Sequence, residues 1–128
     1  MEYVAIVTII AVLQTFWFAF EVGAARGKYG VNAPAVTGAP EFERIYRVHQ
    51  NTLEQFVLVV PSLWIFAYFL QAEIAAGLGG LFVLGRFIYR AAYRNDPKTR
   101  SAGFGIGALA LAVLALGGLA GAVMSIAG

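Results

Sequence analysis

One stretch of the chain, Glu43-Arg44-Ile45-Tyr46-Arg47-Val48-His49-Gln50-Asn51-Thr52-Leu53-Glu54-Gln55, gathers side chains that could do chemistry. Arg47, Asn51 and Glu54 stand at i, i+4 and i+7. At ~100° per residue they fall within about 60° of one another on a helix, and His49 points to the opposite side. Gln50 and Gln55 flank the set, and Phe56 to Val60 are wholly apolar. Glu54 therefore already belongs to an apolar run, where an ionisable group needs a partner or water. A second stripe follows further on. Arg86, Tyr89, Arg90 and Tyr93 have i, i+3, i+4, i+7 spacing, and Arg100 stands seven residues beyond. Glu54 and Arg86 are expected to pair across two helices as polar glue. Arg47, Asn51, Tyr89, Tyr93 and Arg100 are more donors than one carboxylate needs. They predict a cationic, hydrogen-bonding pocket suited to a small, water-soluble anion.

Other chemistries are excluded early. There is no Cys, hence no disulfide scaffold, thiol nucleophile or Cys-ligated metal. His49 is the single His and has no acidic residue at i+3 or i+4, so no metal site is expected. A net charge of +2 is too small to suggest nucleic acid as a partner.

The elements that must position these groups are membrane helices. In 128 residues, 60% are hydrophobic and 12% charged, against about a quarter charged in soluble domains. The mean hydropathy is +0.75. Four apolar runs, about 3–22, 44–70, 74–94 and 97–127, each approach the ~20 residues a helix needs to cross the bilayer. The strands of a membrane barrel would alternate instead. The expectation is an all-α, four-helix transmembrane bundle in a single domain spanning 1–128. A cleaved signal peptide is disfavoured, because the first run is preceded by Glu2 and by no Lys or Arg.

All nine basic residues lie on or near one side. The first connection, about 23–45, holds Arg26, Lys28 and Arg44, and the third region holds Arg90, Arg94, Lys98 and Arg100. The middle turn has only Glu73, and neither terminus has a base. The positive-inside rule puts both termini outside and loops 1 and 3 in the cytoplasm, in the inner membrane if the host is bacterial. Arg90, Arg94 and Lys98 read as interface anchors, and Glu21 as snorkelling or paired. Asp96-Pro97 reads as a cap and first residue that would put Arg100 in the first turn of helix 4. Pro61 is expected to kink helix 2. Gly103/Gly107 and Gly117/Gly121 have GxxxG spacing, a pattern either for close helix association or of ordinary small-residue content.

These motifs carry a resemblance. Glu41 to Glu54, preceded by Thr37-Gly38-Ala39-Pro40, together with Gly85-Arg86-Phe87-Ile88-Tyr89-Arg90-Ala91-Ala92-Tyr93 and Arg100, resemble the MAPEG family of membrane proteins in eicosanoid and glutathione metabolism. The resemblance implies a homotrimer that binds glutathione as co-substrate between adjacent subunits and conjugates it to lipophilic electrophiles, perhaps also reducing peroxides. It implies that Arg47, Asn51, Glu54, Tyr89 and Tyr93 hold glutathione from one subunit. Arg26 and His49 would reach in from the neighbour, and Arg100 would stabilise the thiolate. Three positions depart from the leukotriene C4 synthase branch: Gly27 where it has a second Arg, Gln55 where it has Tyr, and His49 where it has Gln. A general transferase is therefore the better expectation than a dedicated lipid-epoxide enzyme. Two readings compete with it. One is a non-catalytic lipid-presenting protein of the 5-lipoxygenase-activating type. The other is a small four-helix exporter with Glu21 as proton carrier, disfavoured by the strong charge bias.

Overall fold

The computed structural model describes all residues, 1–128. It contains α1 (Glu2–Tyr29), α2 (Pro40–Phe69), α3 (Ala72–Asn95), a 3₁₀ turn (Pro97–Thr99) and α4 (Ser101–Ala127). At about 1.5 Å per residue, each helix exceeds the ~30 Å hydrocarbon thickness. All four are long and apolar enough to cross a membrane.

Two helix boundaries differ from the sequence expectation. α1 continues past Val22 to Tyr29, and α2 begins at Pro40 rather than near residue 44. The apolar pattern fades at these points, but the helices do not, because they extend beyond the hydrocarbon into polar surroundings. α1 stops at Gly30, whose φ of 69° and ψ of 32° suit a residue without Cβ. Pro40 occupies the first helical position of α2, where its missing N–H costs nothing. Glu43 reaches back to accept the Gly38 N–H at 3.0 Å. Connection 1 is thus about ten residues, 30–39, rather than the longer loop expected. α2 runs through Pro61 without a break. At the end of α3, Asp96 accepts the Lys98 N–H at 3.0 Å, the cap expected of it. The turn that follows is 3₁₀, so α4 proper begins at Ser101 and Arg100 is its N-cap residue.

α2 and α3 form a central pair joined through Leu70 and Gln71. α1 packs on one side of this pair and α4 on the other, both contacting α2 and α3. The main core draws Val4, Val7 and Ala11 from α1, Val59, Leu63 and Phe66 from α2, Phe82 and Val83 from α3, and Ala110 and Leu114 from α4. Outside it, Ile9, Leu13, Phe16 and Phe20 on α1, and Leu109, Leu116 and Leu119 on α4, are exposed. In a membrane helix this is the ordinary lipid-facing composition.

The GxxxG glycines work within the chain. A Cβ at Gly103 would lie 2.3 Å from the Tyr89 backbone nitrogen, and one at Gly85 2.9 Å from the Gly107 nitrogen. The backbones of α3 and α4 therefore touch where Tyr89 passes the start of α4. Gly117 seats the ring of Phe66 and Gly121 seats Leu70, fixing α4 on α2.

α1 has polar clamps along its length. Trp64 Nε1 donates to Thr8 Oγ1 at 3.0 Å, and Gln14 Nε2 to the Val83 carbonyl at 2.9 Å. Glu21 accepts from Arg90 Nε and Arg94 Nη1, both at 2.8 Å. Glu21 is thus paired. Arg90 lies on the α3 stripe with Tyr89, but its guanidinium turns to α1.

Candidate functional site

Near the basic end of the bundle, α2, α3 and the start of α4 line an open cavity of about 520 Å³. Its walls are Arg47 and Asn51 from α2, Tyr89 and Tyr93 from α3, and Arg100, Ser101 and Phe104 from the start of α4. Five residues expected from the sequence thus meet in one place: Arg47, Asn51, Tyr89, Tyr93 and Arg100. Helical spacing explains the meeting. The i, i+4 pair on α2 faces the i, i+4 pair on α3, and the Gly85–Gly103 approach brings the end of the 3₁₀ turn against them. The Tyr89 and Tyr93 rings stack with centroids 5.4 Å apart and 22° between planes. Phe104 lies 6.5 Å from Tyr89 and gives the wall an apolar edge.

Behind this wall lies Arg86, completely buried. The expected Glu54–Arg86 ion pair does not form. Arg86 Nη2 donates to Asn51 Oδ1 at 2.7 Å and to Thr52 Oγ1 at 3.0 Å, and its Nε donates to Thr52 Oγ1 at 3.2 Å. Its guanidinium also lies 4.2 Å from the Tyr89 ring centroid. The reason is angular. Thr52 points from α2 into α3, whereas Glu54 is about 200° further round the same helix. Glu54 instead stands 3.8 Å from Arg47, with both side chains about half exposed (50% and 48%). An ion pair so open to solvent contributes little stability. Asn51 lies between these two directions. Its Oδ1 is taken by Arg86, so the amide nitrogen is the group left for the cavity.

Three guanidiniums against the one carboxylate of Glu54 leave the site net positive. Arg47 and Arg100 stand at the wall, and the charge of Arg86 sits behind it with only neutral hydrogen-bond partners. Arg100 Nη1 donates to the Pro97 carbonyl at 2.8 Å, which holds the side chain against the turn. Arg26 and His49 lie outside this cavity of their own chain. Arg26 donates to the Ala35 carbonyl at 2.7 Å and covers the Phe42 ring. His49 is partly buried on the other side of α2.

Residues 4–120 match the profile of the MAPEG family. The chain belongs to the MAPEG family. It is an integral, multi-pass membrane protein. This MAPEG chain is 40% identical over 119 residues to microsomal glutathione S-transferase 2 of Homo sapiens, covering 93% of this chain and 79% of that protein. It is 38% identical over 120 residues to leukotriene C4 synthase of Bos taurus, covering 91% of this chain and 80% of the synthase. An uncharacterized protein of Synechocystis is 42% identical over 115 residues, covering 90% of this chain and 84% of that protein.

In this MAPEG chain three wall or support residues escaped the sequence reading. Thr52 carries two of the Arg86 bonds and is fully buried. Its signal was available, since a hydroxyl beside Asn51 on the α3-facing side of α2 is a natural acceptor for Arg86. Ser101 and Phe104 follow Arg100 at one and four residues, so they share its wall. Ser101 has no hydrophobic periodicity to betray it.

Proposed function

We propose that this protein is a membrane-bound glutathione transferase that joins the glutathione thiolate to lipophilic electrophiles, with peroxide reduction as a secondary activity. The observation that carries the reading is the convergence of Arg47, Asn51, Tyr89, Tyr93 and Arg100 on one cavity backed by a buried guanidinium. Glutathione has two carboxylates and an ammonium group, and it becomes more anionic when its thiol ionises. Arg47 and the Asn51 amide nitrogen suit its carboxylates. The half-exposed Glu54 suits its ammonium. The name of one relative, microsomal glutathione S-transferase 2, supports glutathione as co-substrate.

In the chemical step the thiol proton leaves to solvent, and the thiolate attacks the electrophilic carbon. A C–S bond forms while the leaving group departs with its electron pair. A free thiol has a pKa of about 8.5 and is mostly protonated at neutral pH. Arg100, at the positive end of the α4 dipole, would favour the thiolate. Phe104, exposed beside it, faces the side from which apolar compounds arrive. The proposed assembly is a homotrimer in which Arg26 and His49 complete the pocket of a neighbouring subunit. Their position away from the cavity of their own chain suits that role. The deciding experiment is a stopped-flow scan of purified protein mixed with glutathione. A rise in thiolate absorbance at neutral pH supports the transferase. Glutathione that fails to bind points to the lipid-presenting alternative.

A further inference from the structure

A second polar groove lies on the other side of α3. Tyr89 and Tyr93 face the cavity described above. Arg90 and Arg94, one position later and so about 100° round the helix, face α1. The groove has two contiguous parts of about 400 and 160 Å³, which share Tyr29, Ile45 and Arg94. Glu21 holds both guanidiniums from one side, through Arg90 Nε and Nη2 and through Arg94 Nη1. Arg90 Nη1, and Nε and Nη2 of Arg94, make no hydrogen bond within the chain. Lys28 lines the same groove with no acidic partner, its ammonium meeting only the Tyr29 ring at 5.3 Å. Ala24, Ala25 and Ile45 give it an apolar lining.

We propose that this groove binds the phosphate of an anionic phospholipid. Three cations against Glu21 and Glu41 leave it net positive, and Glu21 pre-orients two planar donors for a phosphate. The groove is formed where α1 and α3 end and α2 begins, at the depth where a helix leaves hydrocarbon for headgroups. Basic pockets between membrane helices at that depth take anionic headgroups, and the apolar lining suits the start of an acyl chain. A soluble phosphate would satisfy the same donors but would gain nothing from Ala24, Ala25 and Ile45.

The test is native mass spectrometry of the detergent-solubilised full chain with phosphatidylglycerol or phosphatidylcholine of equal chain length. Wild type is expected to retain phosphatidylglycerol preferentially. Lys28→Gln and Arg94→Gln should each lower that preference about fivefold. Lys98→Gln, at the same end but outside the groove, should leave it unchanged. Lys28 has no polar partner to lose, so its variant tests the site even if Arg94→Gln fails to fold. Equal retention of the two lipids by wild type overturns the proposal. So does an equal loss in Lys98→Gln, which would make the effect one of general surface charge. Displacement of the lipid by millimolar glycerol phosphate would assign the groove to soluble phosphates and overturn the lipid assignment.

Discussion

At the residue scale, the cations of the proposed site divide into those that hold the ligand and the one that changes its chemistry. Arg47→Ala removes a charge-assisted contact made equally in ground and transition states. The expected result is a higher KM for glutathione with kcat nearly kept, measured by steady-state kinetics. Arg100→Ala should keep much of the affinity but lose thiolate absorbance at neutral pH and most of kcat. A thiol pKa raised by about two units corresponds to roughly 2.7 kcal/mol of lost thiolate stabilisation. Raising the pH repopulates the thiolate, so the variant should recover part of its rate in alkaline buffer. Wild-type turnover at neutral pH would reduce Arg100 to an interface anchor. Thr52→Val keeps shape but leaves Arg86 Nε without an acceptor. It should destabilise the fold by about 1–3 kcal/mol, read as a lower Tm in detergent, and Thr52→Ser should restore it. Arg47 with Asn51, and Tyr89 with Tyr93, were legible because helical spacing puts each pair on one face, and Arg100 because it follows the Asp96-Pro97 cap signal. The partner of Arg86 was not. Charge complementarity favoured Glu54, whereas the rotation of α2 against α3 selects Thr52, and that angle is a property of packing.

At the element scale, the decisive contact is between α3 and α4. The sequence offered GxxxG spacing without saying which surface it served. The structure uses Gly103 and Gly107 inside the chain, since Gly103 lies against the backbone of Tyr89. Gly103→Ala would force a Cβ to within 2.3 Å of a backbone atom that cannot rotate away. The helices must separate, at an expected cost of about 1–3 kcal/mol, and Tyr89 would move from Arg100. Lower Tm and weaker glutathione binding should appear together. Gly105→Ala, where nothing lies within 4 Å, is the matched control and should be neutral or slightly stabilising. The ends of α1 and α2 were less legible than their middles. Hydrophobicity marks where a helix lies in lipid, whereas Gly30 and Pro40 mark where the hydrogen-bonded chain stops and starts.

At the scale of the whole molecule, the charge distribution predicts direction as well as fold. Both termini are expected outside, with the basic end in the cytoplasm, where the proposed co-substrate is abundant. A C-terminal reporter active only in the cytoplasm would reverse that orientation. The bundle itself was legible from four apolar runs. Its layering was not, because α1 and α4 are apolar around most of their circumference and composition does not say which face meets protein. The clamps on α1 settle that helix. Thr8, Gln14 and Glu21 are bonded to α2 or α3 at intervals of six and seven residues, about 9–10 Å apart along the axis. A slide by one helical turn, about 5.4 Å, would break every clamp at once, and at the level of Thr8 and Gln14 hydrocarbon offers no water to replace the lost bonds. α1 is therefore locked in register, and a bilayer thinner or thicker than the protein must be met by tilt of the entire bundle or by deformation of the lipid itself.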